Sequence, residues 1–472
     1  MVLPRILFGS VGWPCGLHEV ASHTKRRGAG QVRLIRLPWP DGLLRDFRPH
    51  VVGLRVEGGQ LPAVQELVRS IRRVLPQTTV VLGGPTATSH PVELLETTGA
   101  DYCFAGDAEE CFVRFLEAAA EIRSRDRLPE MPGVAYRWAG RAVVNLPPEE
   151  PGKARIWPGI SEAILRENRL DWTLLEGFER GPVLDSVYLT AGRGCPGRCG
   201  FCTQLHGRAV RTKTVDQILE EIREADRLIA RGKLLVSRWP LYEHVHDPRM
   251  PALKRRPVRW LSIFDEDFFL DRKRAVDFFR RFAIMPQARR YRLSFQTNPV
   301  SLLDHGEPDG ELFAWFDRLK PMIQLGAESF HPEMLERWNK RHTLDRLEKV
   351  LDALDGTRQD YTVFHIQADY HTTLVELRES TRLLLETARR HPAMRIASSP
   401  LMIPLYDTDI RRQLTRPQLA SIRDFTDFER PHPEWLVPAI ADLIDRIDEH
   451  LQHALYPTGR DRALAEVASL IR

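Results

Sequence analysis

Two series of alternating strand and helix patterns constrain the fold of this chain more than any other feature of its sequence. The first series fills residues 1–120 and includes the apolar run HVVGLRVE, which is followed by the helical pattern LPAVQELVRSIRRVL. The second series begins near residue 185 and extends to about residue 405. Alternation of this kind predicts an α/β fold in which helices cover parallel sheets.

The two series and the segments around them define four predicted parts. We expect a doubly wound parallel sheet over residues 1–125 and a linker with a hairpin over 126–184. A second α/β unit follows over 185–405, and the last part, 406–472, is helical in pattern. At 472 residues the chain is long enough for more than one hydrophobic core.

The charge and hydropathy patterns exclude two classes of partner. The formal net charge of +4 is small for this length, and we find no basic tract, so nucleic-acid binding is not expected. We find no apolar run long enough to cross a bilayer and no signal-peptide pattern. The sequence therefore predicts a cytoplasmic protein with no membrane partner.

Three of the six cysteines lie within eight residues, in the segment AGRGCPGRCGFC that follows the apolar run SVYLT. Cys195, Cys199 and Cys202 offer three thiolates, which can bind three irons of a 4Fe–4S cluster and leave the fourth iron open. Arg193 and Arg198 are expected to favour deprotonated sulfur. Structural zinc, the alternative, usually takes four ligands, and no second pair of Cys or His stands nearby.

The spacing of these cysteines, with Phe201 in the aromatic position before the last one, resembles the signature of the radical S-adenosylmethionine (SAM) superfamily. The resemblance implies that residues 185–405 form a partial (β/α)6 barrel. It also implies that SAM binds the open iron near Phe201 and yields a 5′-deoxyadenosyl radical on reductive cleavage. An electron donor such as flavodoxin or ferredoxin is then an expected partner.

Other barrel motifs resemble the SAM-binding segments of that superfamily. In LSIFDEDFFLD, Asp265 and Glu266 are the candidates for the SAM amino group, with a solvated acidic loop as the alternative. In the GAES motif and the helix that follows it, Glu328 is expected at the ribose hydroxyls and Lys340 at the carboxylate.

A third strand pattern, RLSFQTNP, ends in polar residues. Gln296 and Asn298 are candidate SAM contacts at the barrel mouth, where ligand chemistry gathers in such barrels. A packed, hydrogen-bonded barrel interior explains them equally well.

The first half resembles the cobalamin-binding domain that precedes many radical SAM enzymes. The resemblance rests on HVVGLRVEGG, TVVLGGPTATSHP and GADYCFAGDAEECF, which occur in that order. The match is partial, because Asp107 and Ala108 replace the first Glu and second Gly of the relatives' Gly-Glu-Gly-Glu segment. A domain of this fold that no longer binds cobalamin is the alternative. The candidate cobalamin contacts are Arg55, Gly83, Gly84, Pro85, Gly106 and Glu109.

Two residues of this half have further expectations. The motif of His-ligated cobalamin proteins is missing, so no protein histidine is expected on cobalt, and His18 is expected at the surface or at a helix cap. Arg55 stands in an otherwise apolar strand pattern. It either lies under the corrin ring or pairs with Glu57 or Glu109.

The order of these parts resembles cobalamin-dependent radical SAM methyltransferases, which implies methyl transfer from methylcobalamin to a carbon of a small metabolite or peptide. One alternative is a radical SAM oxidoreductase, cyclase or rearrangement enzyme in which cobalamin does not transfer methyl or is absent. A redox or metal-dependent binding module without turnover is the other. The stretch 232–258, with Trp239, Tyr242, His244 and His246, is a candidate insertion that shapes the substrate pocket.

Overall fold

A computed structural model describes most of the chain. The described residues are 3–10, 15–39, 42–57, 60–121, 131–146, 157, 159–176, 186–203, 205–234, 236, 259–359, 361–402, 408–421, 438–454 and 459–471. The predicted insertion residues Trp239, Tyr242, His244 and His246 lie outside this part. Among the described helices, none combines the length and the apolar content that crossing a membrane requires.

The first half is a parallel sheet covered by helices on both faces. Its central strands run in the order β5-β4-β3-β1-β2, and all of these pairs are parallel. The strands are β1 Arg5–Ser10, β2 Gln31–Arg36, β3 Val51–Arg55, β4 Thr79–Gly83 and β5 Tyr102–Phe104. The helices are α1 Cys15–Arg26, α2 Leu43–Phe47, α3 Leu61–Val74, α4 Pro85–Ser89, α5 Pro91–Thr98 and α6 Glu109–Glu121.

This strand order reverses direction between β1 and β3, which is where doubly wound sheets bind ligands at their carboxyl ends. The segment after α6 adds strands to both edges of the sheet. An antiparallel hairpin of β6 Val134–Trp138 and β7 Arg141–Val144 extends it beyond β5, and β8 Leu175–Glu176 pairs with β2. A short helix, α7 Glu162–Glu167, precedes β8.

The second half contains a sheet of six parallel strands in the order β18-β17-β16-β13-β12-β9. Helices alternate with these strands, so the predicted parallel (β/α)6 arrangement is confirmed. The strands are β9 Ser186–Leu189, β12 Arg259–Ile263, β13 Tyr291–Thr297, β16 Met322–Glu328, β17 Tyr361–Ala368 and β18 Met394–Leu401. The intervening helices are α8 Val215–Ala230, α9 Arg272–Phe282, α10 Gly310–Leu319, α11 Pro332–Arg337, α12 Leu344–Gly356 and α13 Leu374–Arg390.

Two small ribbons accompany this barrel: β10 Gly192–Arg193 with β11 Arg211–Thr212, and β14 Leu303–Asp304 with β15 Glu307–Pro308. The C-terminal part is helical, as predicted, and its longest described helix packs against β18. Its helices are α14 Asp409–Gln413, α15 Arg416–Ser421, α16 Pro438–Ala454 and α17 Arg460–Leu470.

Helix ends follow local sequence signals. Thr214 and Thr373 each form a capping box with the Gln or Glu three residues later, which fixes the starts of α8 and α13. The two halves share one hydrophobic core, since Phe8 and Phe112 of the first sheet belong to the same buried cluster as Tyr188 and Leu261 of the barrel. A second, smaller cluster fills the other face of the first sheet. Because this core is shared, it fixes how the first sheet and the barrel are oriented relative to each other.

Candidate active site

A cavity of about 760 Å³ lies between the carboxyl edge of the first sheet and the barrel interior. We call it the central cavity. The structure brings together all six predicted cobalamin contacts in its lining: Arg55, Gly83, Gly84, Pro85, Gly106 and Glu109. The barrel contributes polar and aromatic side chains, among them Ser186, Trp260, Ser262, Ser294, Gln296, Gln324, Thr362, Phe364 and Arg395.

The two glycines after β4 shape the first-sheet wall of the central cavity. Gly84 has φ +102°, a conformation that L side chains rarely adopt, and a Cβ there would lie 3.0 Å from the carbonyl oxygen of Val56. A Cβ on Gly83 would meet nothing within 4 Å. The surface over Gly83 is therefore open, and a large flat ligand such as a corrin can approach the backbone closely there.

Arg55 ends β3 at this wall. Its guanidinium Nη1 lies 2.5 Å from Glu57 Oε2, and its side chain is 12% exposed. Of the alternatives open at the sequence level, pairing with Glu57 is present, while the side chain also lines the central cavity. The two placements are compatible because Glu57 is half exposed.

His18 is not at the surface or at a cap, contrary to expectation. It is fully buried within α1, where its Nδ1 lies 3.0 Å from Tyr188 Oη and its Nε2 2.9 Å from the carbonyl oxygen of Asp171. Burial lowers the pKa of His18 to about 4. Both ring nitrogens are thus engaged, one by Tyr188 of the barrel and the other by Asp171 in the segment before β8. That His18 does not ligate cobalt stays a prediction.

The cysteine loop, residues 195–202, is anchored at its base and at its tip. At the base, β10 pairs with β11. Gly194 has φ +93°, and a Cβ there would also clash with the carbonyl oxygen of Ala209, so both the backbone conformation and the space favour glycine. At the tip, Gly200 N donates to the carbonyl oxygen of Trp338 at 2.8 Å, and Gly200 O accepts from Ile410 N at 3.0 Å. The tip of the loop backbone is therefore held by the barrel on one side and by the C-terminal part on the other.

The three thiols of this loop differ in exposure: Cys195 and Cys199 are half-buried, and Cys202 is exposed. Gly197 N lies 3.4 Å from Cys195 Sγ, and a Cβ on Gly197 would approach that sulfur at 3.2 Å and Cys199 Sγ at 3.9 Å. Within the described part of the chain, no set of three His, Cys, Asp or Glu side chains already converges as metal ligands. Three thiols on one short loop, with room left by Gly197, are a donor set that fits an iron–sulfur cluster.

Lys340 and Glu328 meet beside the cysteine loop. Lys340 Nζ lies 3.3 Å from Glu328 Oε1 and 5.8 Å from the ring centroid of Phe201. Burial alone would lower the pKa of Lys340, but Glu328 and the nearby thiols of Cys199 and Cys202 outweigh it and raise that pKa. The ammonium is therefore held charged beside the loop, as a carboxylate ligand requires.

Glu328 itself has an unusual backbone. Its φ is +64°, at a register shift between β16 and β17, and a Cβ on Gly326 would lie only 2.8 Å from its carboxylate. A non-glycine residue in the left-handed region costs about 1–2 kcal/mol, so the fold tolerates strain to aim this side chain.

The neighbouring carboxylates Asp265 and Glu266 have different surroundings. Asp265 is buried, and its Oδ1 accepts from the amides of Ala191 and Gly192 at 2.7 Å each, while Arg274 lies 3.3 Å from Oδ2. Glu266 accepts from Gly194 N at 3.1 Å and is 28% exposed. Asp265 therefore ties the strand ends together, and Glu266 is the member of the pair that remains open to a ligand.

Gln296 in β13 and Asn298 directly after it have different surroundings. Asn298 caps a short 3-10 helix through Val300 N and donates to Asp267 Oδ2 at 2.6 Å, so it is engaged in packing. Gln296 donates to Gln324 Oε1 at 3.3 Å and lines the central cavity. Of the predicted SAM set, Gln296 is the member placed in that lining.

Arg193 does not face the thiols, contrary to expectation. It is 4% exposed, and its guanidinium contacts Asp107 at 2.7 Å, Glu109 at 2.6 Å and also Glu19. Burial and the proximity of Asp107 raise the pKa of Glu109 to about 8, and burial lowers the pKa of Arg193 to about 10. Sequence reasoning missed this network, since nothing local in the sequence pairs residue 193 with residues 19, 107 and 109.

Comparison with known protein families identifies the two halves. The model of the B12 binding domain matches residues 12–116, and the model of the Radical SAM superfamily matches residues 189–366. The chain contains a B12-binding domain followed by a radical SAM domain. These families imply a 4Fe–4S cluster, SAM and cobalamin as its cofactors, as predicted.

Solved structures of this kind share its fold. The radical SAM methyltransferase TsrM from Kitasatospora setae, with cobalamin and a [4Fe–4S] cluster bound, matches with a TM-score of 0.63 and 16% identity, over 87% of this chain and 74% of that chain. The cobalamin-dependent SAM radical enzyme OxsB, with aqua-cobalamin and SAM bound, matches with a TM-score of 0.69 and 16% identity, over 98% and 72%. At this identity the likeness shows the fold alone.

Curated relatives match over shorter stretches. Cytidylyl-2-hydroxyethylphosphonate methyltransferase of Streptomyces wedmorensis is 26% identical over 208 residues, which are 38% of this chain and 38% of that protein. A Methanocaldococcus jannaschii protein named as a methylthiotransferase is 24% identical over 170 residues, 36% of this chain and 32% of that protein. The match thus spans 38% of the first relative's length and 32% of the second's.

Proposed function

We propose that this radical SAM enzyme is a cobalamin-dependent methyltransferase that methylates a carbon of a small metabolite or peptide. The observation that carries the proposal is the central cavity, which is bordered by the B12-binding sheet on one side and by the barrel interior on the other. A reaction in which two cofactors act on one substrate needs all three in one chamber, because reacting groups gain rate from being held in near-attack geometry.

The residues of the cavity wall and those beside the cysteine loop have distinct proposed tasks. Cys195, Cys199 and Cys202 hold the cluster, which supplies the electron for SAM cleavage when bound. Lys340 is proposed to bind the SAM carboxylate through a charge-assisted hydrogen bond, and Glu328 to accept from the ribose hydroxyls.

The remaining proposed contacts complete the SAM and cobalamin sites. Glu266 accepts from the SAM amino group, with Asp265 holding the loop that carries it. On the opposite wall, Gly83, Gly84, Pro85 and Gly106 present backbone to the corrin, and Arg55 lies beside it, paired with Glu57.

The test is anaerobic incubation of the reconstituted enzyme with methyl-labelled SAM, cobalamin, a reductant and candidate substrates. Methyl transfer predicts label in the product together with S-adenosylhomocysteine. Deoxyadenosine and a changed product without label would instead indicate an oxidoreductase, cyclase or rearrangement enzyme. Absence of any SAM cleavage on reduction would refute both enzyme assignments.

An electron donor of low potential is also proposed, such as flavodoxin or ferredoxin. The exposed Cys202 places one edge of the cluster loop near solvent, which suits electron entry from a docked protein. Reduction of the cluster by purified flavodoxin or ferredoxin, followed by its paramagnetic signal, tests this. No reduction by either protein would remove that partner class.

A further inference from the structure

Asp107 is a hydrogen-bonding hub at the boundary between the two halves. Its side chain has no exposed surface, and it accepts from Arg193 Nη1 at 2.7 Å, Ile160 N at 2.9 Å and Arg211 Nη1 at 3.4 Å. His206 Nδ1 also contacts it. Two of these donors are charged, so the carboxylate is compensated despite its complete burial.

The donors come from both ends of the cysteine loop. Arg193 stands two residues before Cys195, and His206 stands four residues after Cys202. The same oxygen of Asp107 receives both side chains, although they are separated from it by 86 and 99 residues in sequence. One carboxylate of the B12-binding domain therefore holds the base of the cluster loop.

Asp107 also belongs to the wall of the central cavity. Gly106, Asp107, Ala108 and Glu109 all line it, so a corrin seated there contacts the segment that grips the cysteine loop. Arg193 reinforces this link through Glu109 of the same segment.

We propose that Asp107 couples the two cofactor sites, so that cobalamin binding and an occupied cluster loop strengthen each other. Contact of cobalamin with the 106–109 segment would stabilise the arrangement in which Asp107 holds Arg193 and His206, and with it the base of the loop. Coupling between binding sites is reciprocal, and typical values change affinity by about 5–150-fold. The proposal rests on the cofactors of the two families and does not depend on which group is transferred.

The test compares hydroxocobalamin affinity in cluster-loaded and cluster-free full-length protein, measured anaerobically by absorbance titration without substrate. In the unaltered protein we expect tighter binding in the loaded form, by about 5–150-fold. In Asp107→Asn the ratio of the two affinities should fall to within about twofold of one, because a neutral amide holds the guanidinium groups of Arg193 and Arg211 less strongly than a carboxylate does.

A matched control is Asp226→Asn. Asp226 is also a buried acceptor, bonded to Tyr291, Gln287 and Arg290, but all of these lie within the barrel. This variant should keep the ratio of the unaltered protein, which separates coupling from general loss of a buried carboxylate.

If Asp107→Asn does not fold, Arg193→Lys replaces it. Lysine keeps the charge but loses the fork that reaches several acceptors, so the ratio should still decrease. A ratio of one in the unaltered protein, or an unchanged ratio in the variant that folds, would overturn the proposal.

Discussion

The two walls of the central cavity belong to parallel sheets but present different surfaces to a ligand. The first sheet borders it with Gly53, Gly83, Gly84 and Gly106, and the charged groups that stand there are paired, as Arg55 is with Glu57. The barrel borders it with hydroxyl, amide and aromatic side chains. Backbone suits a large planar cofactor that needs close approach, whereas side chains suit smaller molecules that must be oriented by individual hydrogen bonds.

The base and the tip of the cysteine loop are also held in different ways. The base of the loop is held by ion pairs across the domain boundary, through Arg193. The tip is held by backbone hydrogen bonds from Trp338 and Ile410 within the second half. The tip is thus held by the barrel and the C-terminal part, while the base depends on the B12-binding domain.

The largest effect is expected from the cysteine loop. Replacing Cys195, Cys199 or Cys202 by Ala should abolish the cluster, because each would remove one of three iron ligands. Iron and sulfide content after anaerobic reconstitution measures this. Cys111→Ala, in α6 away from the loop, should keep about four irons per chain. Zinc as the sole metal in the unaltered protein would contradict the assignment.

Next in size is the charged pair beside the loop. Lys340→Ala should weaken SAM binding by about 1.5–3 kcal/mol, since it removes a charge-assisted hydrogen bond to the carboxylate. Equilibrium binding of SAM to the reconstituted protein is the measurement, and the cluster should survive the change. Lys349→Ala, an exposed lysine paired with Glu307 at 2.7 Å, serves as control and should leave SAM affinity unchanged. Equal SAM affinity in Lys340→Ala and Lys349→Ala would refute the role of Lys340.

Gly83 and Gly84 are neighbours in the first-sheet wall of the central cavity, but we expect their substitution by Ala to have different effects. Gly84→Ala should lower the free energy of unfolding by about 1–3 kcal/mol, because its backbone conformation is restricted to glycine. Gly83→Ala has open space and should leave stability unchanged while weakening cobalamin binding. Denaturant unfolding and a cobalamin titration of both variants give the result. Full cobalamin affinity in Gly83→Ala would place the corrin elsewhere.

The neighbouring carboxylates offer a comparison within the barrel. Asp265→Asn should lower the free energy of unfolding by about 1–3 kcal/mol, since its buried oxygen holds two amides next to Arg274. Glu266→Gln should leave stability nearly unchanged and weaken SAM binding. Thermal unfolding and SAM titration of the pair distinguish the two roles. If Glu266→Gln lowers stability and Asp265→Asn weakens SAM binding instead, the two residues have each other's assigned role.

The smallest effect on cofactor chemistry is expected at His18. Its pKa is lowered to about 4, so the folded chain resists protonation and the free energy of unfolding should fall as the pH drops from about 6.5 towards 4. His18→Gln should flatten part of this dependence, as seen by denaturant unfolding at several pH values. His305→Gln, a substitution at a side chain that is 97% exposed, should not.

The same variant tests the cobalt ligand. Because both ring nitrogens of His18 are engaged by Tyr188 and Asp171, the paramagnetic spectrum of the Co(II) form should be unchanged in His18→Gln. Nitrogen splitting that disappears in the variant would show that His18 moves to cobalt.

The sequence by itself determined the two parallel sheets, their order and the three cofactors. Strand–helix alternation and the Cys-x3-Cys-x2-Cys spacing are short-range patterns, and each depends on residues close together in the chain. The place of Gly83, Gly84 and Gly106 at the carboxyl edge of the sheet could be predicted for the same reason, because they lie at or just after the ends of β4 and β5. Their contact with cobalamin stays a prediction.

Only the tertiary structure decided the roles of Arg193, His18 and the pair Asp265 and Glu266. Arg193 pairs with Asp107 across 86 residues, and His18 bonds to Tyr188 across 170. Asp265 and Glu266 are adjacent in sequence, yet one faces the strand ends and the other faces out. The contacts of Arg193 and His18 are set by how the two halves dock over a shared core, and those of Asp265 and Glu266 by how strand ends meet within the barrel. No local pattern encodes either arrangement.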